Sequence, residues 1–297
     1  MKRSFFSIIC LGLLLSGPFG LGALEIELTG GLNNLVFNPD RVTAHGQSAD
    51  SMQFSGYPYV FGDFYLKNDI SGTFGFNLHA SRDSILRNSI GGSISANSDF
   101  LNVEFGVFSG MGDKAEMPYA GISGSLEVMY PGIIFMSING SSTLGSQLGF
   151  SSNSSRETFE LKLGFWLPNA IPAFSVSTKN FTGHPEDSVE IYDELARFQL
   201  GIDIFAKNFP VTFHVDAGYE ILKRSYRRGD SNDTDELHAV YTGLEAKLQI
   251  TKPLRIIAGF EMPVYSWAEQ PMKDPENIFS LYKFRAGFSY TFFPAIQ

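Results

Sequence analysis

Long apolar runs are missing from this chain. After the N-terminal segment no stretch approaches the roughly 20 consecutive apolar residues of a membrane-spanning helix, and the mean hydropathy is −0.01. A helical membrane protein is therefore excluded. Cysteine is nearly absent, one in 297 residues, so no disulfide framework is available to the fold. Charged residues make up 18%, below the roughly 25% usual for soluble domains. Basic residues are outnumbered, 22 to 31, which argues against nucleic acid as a partner, since phosphate binding needs a basic face. What the chain has in quantity is glycine (30), phenylalanine (28) and tyrosine (12). That mix is too apolar and aromatic for a disordered chain. It leaves a soluble all-β protein, or a membrane protein whose apolar residues are hidden by alternation.

The first segment reads as an export signal. Lys2 and Arg3 give a positive start, Phe5 to Leu15 a short apolar stretch, and Gly20 to Ala23 a small-residue cleavage site. The domain reading is a signal peptide over 1–23 and a β-barrel over 24–297. Cys10 does not read as a lipidation site, because Ile8 and Ile9 precede it and the apolar stretch continues past it. Its removal with the signal leaves no thiol in the mature chain. The loss of Lys2 and Arg3 takes the formal charge from −9 to −11.

The rest alternates with period two. Phe74, Phe76, Leu78 and Ala80 share one face, and Thr73, Gly75, Asn77 and His79 the other. Phe159 to Leu167, Phe198 to Ala206 and Val211 to Tyr219 repeat the pattern. Counted along the chain, this gives about fourteen strands, within a range of about 12–14, each close to the length that crosses a bilayer when tilted. Short connections with turn chemistry, such as Pro131-Gly132 and Asn208-Phe209-Pro210, alternate with mostly longer polar ones, among them 142–155, 181–192 and 223–236. Short turns at one end and longer loops at the other are the signature of a transmembrane antiparallel barrel with up-and-down order, short periplasmic turns and longer extracellular loops. Closure removes every sheet edge, as lipid requires. Tyr57, Tyr59, Tyr119, Tyr130, Trp166, Tyr265, Trp267 and Tyr282 fall near strand ends, where an aromatic girdle is expected.

The last strand carries a family likeness. Arg285-Ala286-Gly287-Phe288-Ser289-Tyr290-Thr291-Phe292 resembles the assembly signal of bacterial outer-membrane barrels, with Arg285, Gly287, Tyr290 and Phe292 at the telling positions. Five residues, Phe293 to Gln297, follow where the family normally ends. The resemblance implies insertion into the outer membrane by the barrel-assembly machinery, with both termini in the periplasm. In length and strand number the chain is similar to small monomeric porins of the outer-membrane-protein-G kind. That implies a monomer in contact with outer-membrane lipid and passing small solutes.

Taking the alternation literally turns twelve acidic and ten basic residues inward. On the first half of the barrel the expected pore lining is Asp63, His79, Glu104, Glu127, Glu160 and Lys162. On the second half it is Arg197, Asp203, His214, Asp216, Glu220, Glu245, Lys247, Glu261 and Arg285. Glu160 with Lys162, and Glu245 with Lys247, are candidate neutralising pairs. His214 and Asp216 share a face as a base and its orienter would, yet no nucleophile is tied to them. No spacing reads as a catalytic, metal or cofactor site, so an enzyme is not expected. The function expected is a channel for passive diffusion of ions and small hydrophilic solutes with a mild cation preference. Two alternatives stand beside it: a surface adhesin or structural barrel with an occluded lumen, and a transporter of hydrophobic substrates. The Ser-rich segment 142–155 is a candidate constriction.

Overall fold

The computed structural model describes residues 23–33, 59–69, 73–111, 119–144, 154–186, 189–205, 209–269 and 282–292. The expected signal segment, up to Gly22, and the stretch 145–153 of the candidate constriction lie outside them. Fourteen strands form: β1 (Leu24–Asn33), β2 (Tyr59–Asp69), β3 (Phe74–Asp83), β4 (Arg87–Asn97), β5 (Leu101–Met111), β6 (Tyr119–Tyr130) and β7 (Ile134–Thr143). They continue as β8 (Ser155–Phe165), β9 (Ala170–Glu186), β10 (Val189–Phe205), β11 (Val211–Arg228), β12 (Ser231–Gln249), β13 (Leu254–Ala268) and β14 (Lys283–Phe292). Each pairs antiparallel with its neighbours in sequence, and β1 closes on β14 from Leu24↔Phe292 to Asn33↔Lys283. The fold is all-β, a closed meander barrel.

The alternation sorts the two faces. Leu28, Phe74, Ile94, Phe105, Leu126, Leu200, Leu244 and Phe288 stand exposed on the outer wall. A continuous apolar outer band around a polar interior is the arrangement that lipid stabilises, since a water-facing surface would leave this area unburied. Tyr130 and Tyr265, both 61% exposed, lie near the C-terminal ends of the oppositely running β6 and β13, hence at opposite ends of the barrel, and suit the two interfaces. Tyr119 corrects the girdle expectation: it is 1% exposed and packs against Phe108 and Phe181 in the interior. Tyr57 lies outside the described residues.

Two connections expected to be long loops differ from expectation. The segments 181–192 and 223–236 are mostly strand: β9 and β10 are joined across 187–188, and β11 turns into β12 at Gly229 and Asp230. Gly229 has φ +57°, the left-handed conformation a tight hairpin demands. Alternation fails as a signal there because the apolar residues of β9 and β10, Phe181, Val189 and Ile191, are buried on the inner face, the reverse of the pattern in the band. β9 to β12 are 17 to 19 residues long, whereas crossing a bilayer takes about 9–11. This side of the barrel therefore rises well above the apolar band, and β1 to β8 do not.

Candidate functional site

The short connection of residues 84–86 between β3 and β4 folds into the interior. Asp83 accepts from the backbone N–H groups of Ile85 (2.8 Å) and Leu86 (2.9 Å), which tightens the turn. Arg87 takes a left-handed φ of 60°, a strained conformation for a residue with a long side chain. The turn carries an apolar tip: Ile85 is 2% and Leu86 5% exposed. They pack with Phe108 and Tyr119 on one side and with Phe181, Leu222 and Leu237 on the other. On a ring of fourteen strands, β4 and β11 are seven apart and so face each other across the diameter. The hairpin tip thus reaches over the lumen to the opposite wall. Burying its two aliphatic side chains contributes about 1.5–3 kcal/mol each. Two glycines make room for the aromatic floor: a Cβ on Gly110 would lie 2.2 Å from the Tyr119 ring, and one on Gly121 2.3 Å from the Phe108 ring.

Ion pairs latch the hairpin to the far wall. Arg87 Nη2 donates to Asp193 Oδ2 at 2.9 Å. Arg224 grips the same carboxylate from β11, Nε to Oδ1 at 2.6 Å and Nη2 to Oδ2 at 2.7 Å. Lys179 of β9 reaches Asp83 at 2.7 Å, and the Tyr119 hydroxyl donates to the Leu86 carbonyl at 3.0 Å. Asp193 is completely buried. Its strand neighbours on the outer wall are Tyr192 and Glu194, so it lies above the apolar band. Burial alone would raise its carboxyl pKa; the guanidiniums of Arg224 and Arg87 outweigh this and hold it below the ordinary value. A buried carboxylate shared by two guanidiniums is costly to break, because either partner left alone is an unpaired buried charge.

Beneath the hairpin the interior divides into cavities of about 540, 790 and 270 Å³. Every expected lining residue borders at least one. Asp63, His79, Glu160, Arg197, Glu220, Glu261 and Arg285 line the first, whose ceiling is Ser84, Ile85 and Leu86. Glu104 and Glu127 line the second, and Lys162, Asp203, His214, Asp216, Glu245 and Lys247 the third.

The two halves of the wall handle their charges differently. On β9 to β14, Arg197 donates to Glu220 at 2.7 Å and Glu261 at 3.0 Å, and lies over the Tyr241 ring. Lys283 also reaches Glu261 at 3.0 Å. Arg285 links Glu245 to Glu27 at 3.2 and 3.4 Å, and Lys247 pairs with Glu245 at 3.3 Å as expected. His214 sits between Asp203 (2.8 Å) and Asp216 (3.5 Å), two carboxylates and no nucleophile. On β4 to β8 the carboxylates are held by neutral donors: Glu104 by Ser93, Glu127 by Asn102 at 2.9 Å, and Glu160 by Asn139 at 3.1 Å. Among the described residues none of these three forms an ion pair. The expected pair of Glu160 with Lys162 does not form; the Lys162 ammonium lies over the Phe135 ring at 5.8 Å. Sequence reading missed the latch of Asp83, Arg87, Asp193 and Arg224. Its one available signal was an Ile-Leu pair inside a three-residue connection flanked by Asp83 and Arg87.

In the β14 segment expected to signal assembly, Arg285 and Gly287 belong to the interior face. Phe288 and Phe292 stand on the outer wall, and Tyr290 packs edge-on against Phe292 at 4.6 Å.

Fold and interior together define the class: a closed fourteen-strand barrel, apolar outside and polar within. No family model and no curated protein matches the chain. Solved structures do. An outer membrane channel from Pseudomonas putida F1 is similar at 8% identity and a TM-score of 0.49, covering 93% of this chain and 98% of that one. OmpT, an outer membrane protein of Vibrio cholerae, is similar at 9% and 0.42, covering 92% and 97%. An anion-selective porin from Comamonas acidovorans is similar at 9% and 0.38, covering 92% and 98%. These likenesses are of fold.

Proposed function

We propose that this protein is an outer-membrane channel for passive diffusion of ions and small hydrophilic solutes, with a mild preference for cations. In this reading residues 1–23 direct export, the barrel-assembly machinery inserts the chain through its β14 signal, and the monomer sits in outer-membrane lipid. The observation that carries the preference is the trio Glu104, Glu127 and Glu160, anchored by neutral donors, while on the opposite wall Glu220, Glu245 and Glu261 are paired with Arg197 and Arg285. Fixed carboxylates in a narrow, low-dielectric-walled passage concentrate counter-ions, as acidic rings do in cation channels. The β3–β4 hairpin sets the size limit, because solutes must pass beside Ile85 and Leu86. Reversal potentials across planar bilayers under a KCl gradient test the reading. Potassium preference at low salt supports it, and chloride preference overturns it.

The hairpin also favours a second reading, a barrel occluded by its own tip and acting through its surface. Absence of conductance from a folded, heat-modifiable protein would establish that one instead.

A further inference from the structure

On the outer wall, above the apolar band, β12 and β13 bring together two carboxylates and an imidazole. The Glu269 N–H donates to the Glu236 carbonyl at 3.0 Å, so these two residues face each other across the ladder. His238 lies two residues from Glu236, on the same face, opposite Trp267. Like charges directly opposed on a sheet are unfavourable; Lys223 of β11 stands opposite Glu236 on its other side, and a cation between Glu236 and Glu269 would offset their repulsion. His238 is the group aimed there. It is 6% exposed and clamped in plane by Trp267, with ring centroids 4.9 Å apart and planes 4° apart. Its Nε2 lies 3.1 Å from Glu236 Oε1 and 3.3 Å from Glu269 Oε1. That nitrogen is buried yet makes no hydrogen bond, because both oxygens lie off the axis along which an Nε2–H would point. Its other nitrogen, Nδ1, is 2.5 Å from the Tyr219 hydroxyl.

We infer that Glu236, His238 and Glu269 form a zinc-class divalent metal site. Donor atoms held about 2.0–2.2 Å from a tetrahedral Zn²⁺ are about 3.3–3.4 Å from one another, close to the two nitrogen–oxygen separations found here. One imidazole with two carboxylates suits a borderline metal and leaves a fourth position for water. The three ligand atoms all fall within 4.8 Å of one another. Tyr219 completes the arrangement as a positioning residue: its oxygen accepts the Nδ1–H and so presents the Nε2 lone pair to the metal, the usual outer partner of a ligating histidine. The site staples β12 to β13 at the foot of the tall wall, beside an order-giving stack of Tyr219, His238 and Trp267.

The test is calorimetric titration of Zn²⁺ alone into the chelator-stripped, folded full-length barrel in detergent micelles at neutral pH. Wild type is expected to take up one equivalent that His238→Ala lacks, with Glu269→Gln at least tenfold weaker and Tyr219→Phe weakened about 10–100-fold. Glu269 is 61% exposed, so its variant keeps the fold and still reports on the site. Equal Zn²⁺ uptake by wild type, His238→Ala and Glu269→Gln overturns the assignment, as does wild type that binds none.

Discussion

Strands β4 to β8 are 10 to 12 residues long and line the interior with Ser93, Ser125, Ser137 and Asn139 around carboxylates tied only to neutral donors. Strands β9 to β13 are 15 to 19 residues long and line it with interlocked ion pairs. Both walls obey the same alternation, so secondary structure does not separate them. Height does: the longer strands carry their ladder well past the bilayer, roughly 20 Å at 3.3 Å per residue. Up there the ladder needs an inner partner, and the short-walled side supplies it by sending its hairpin tip across. On the proposed function the low wall meets the solutes, and the high wall holds the structure. The same substitution should thus have opposite consequences on the two sides.

The largest effect is expected where the two walls meet. β14 pairs with both β1 and β13, so deleting Tyr290 to Gln297 strips the closing ladder at its periplasmic end and exposes edges that lipid cannot satisfy. Heat-modifiable migration on gels should vanish. Next comes the latch. Asp193→Ala leaves Arg87 buried without its carboxylate, and breaking such a pair costs about 3–5 kcal/mol; thermal unfolding of the micellar barrel measures it.

Glutamate-to-glutamine changes sharpen the contrast. Glu261→Gln removes a partner of both Arg197 and Lys283 and is expected to lower stability by about 1–3 kcal/mol with little change in selectivity. Glu104→Gln with Glu127→Gln and Glu160→Gln should leave stability within about 1 kcal/mol and abolish most of the cation preference seen in reversal potentials. If the triple variant keeps its selectivity, the division between the walls fails. The smallest effect concerns acid. The Asp193 carboxyl is held below its ordinary pKa, so its contribution is fully present above the unfolded-state value of about 3.9 and is lost only as pH falls through the lower folded value. Conductance should accordingly hold steady from pH 7 down to about 4.5.

Much of the fold was legible because lipid imposes one rule on every crossing: Phe198, Leu200, Ile202 and Ile204 point out, and Gln199, Gly201 and Asp203 point in. The rule stops where lipid stops. Beyond the band the outer face turns polar, as at Glu190 and Glu194, while Ile191 is buried on the inner face, and ladder pairs such as Asp193↔Arg224 continue the strands. The lining residues were legible for the same reason as the strands. Their pairing was not, because alternation gives the face of a residue and says nothing of its partner six strands away. Arg87 with Asp193 is separated by 106 positions, and only closure of the ring brings them together.

The hairpin tip carries the central claim, that the lumen is a conducting path narrowed by Ile85 and Leu86. Single-channel recording of wild type beside Ile85→Ser with Leu86→Ser tests it most directly. Both substitutions remove the apolar grip on Phe181, Leu222 and Leu237 and leave the barrel ladder untouched. Steady steps from wild type and larger steps from the double variant are predicted. Equal step sizes, or silence from both proteins in their folded form, would contradict the account.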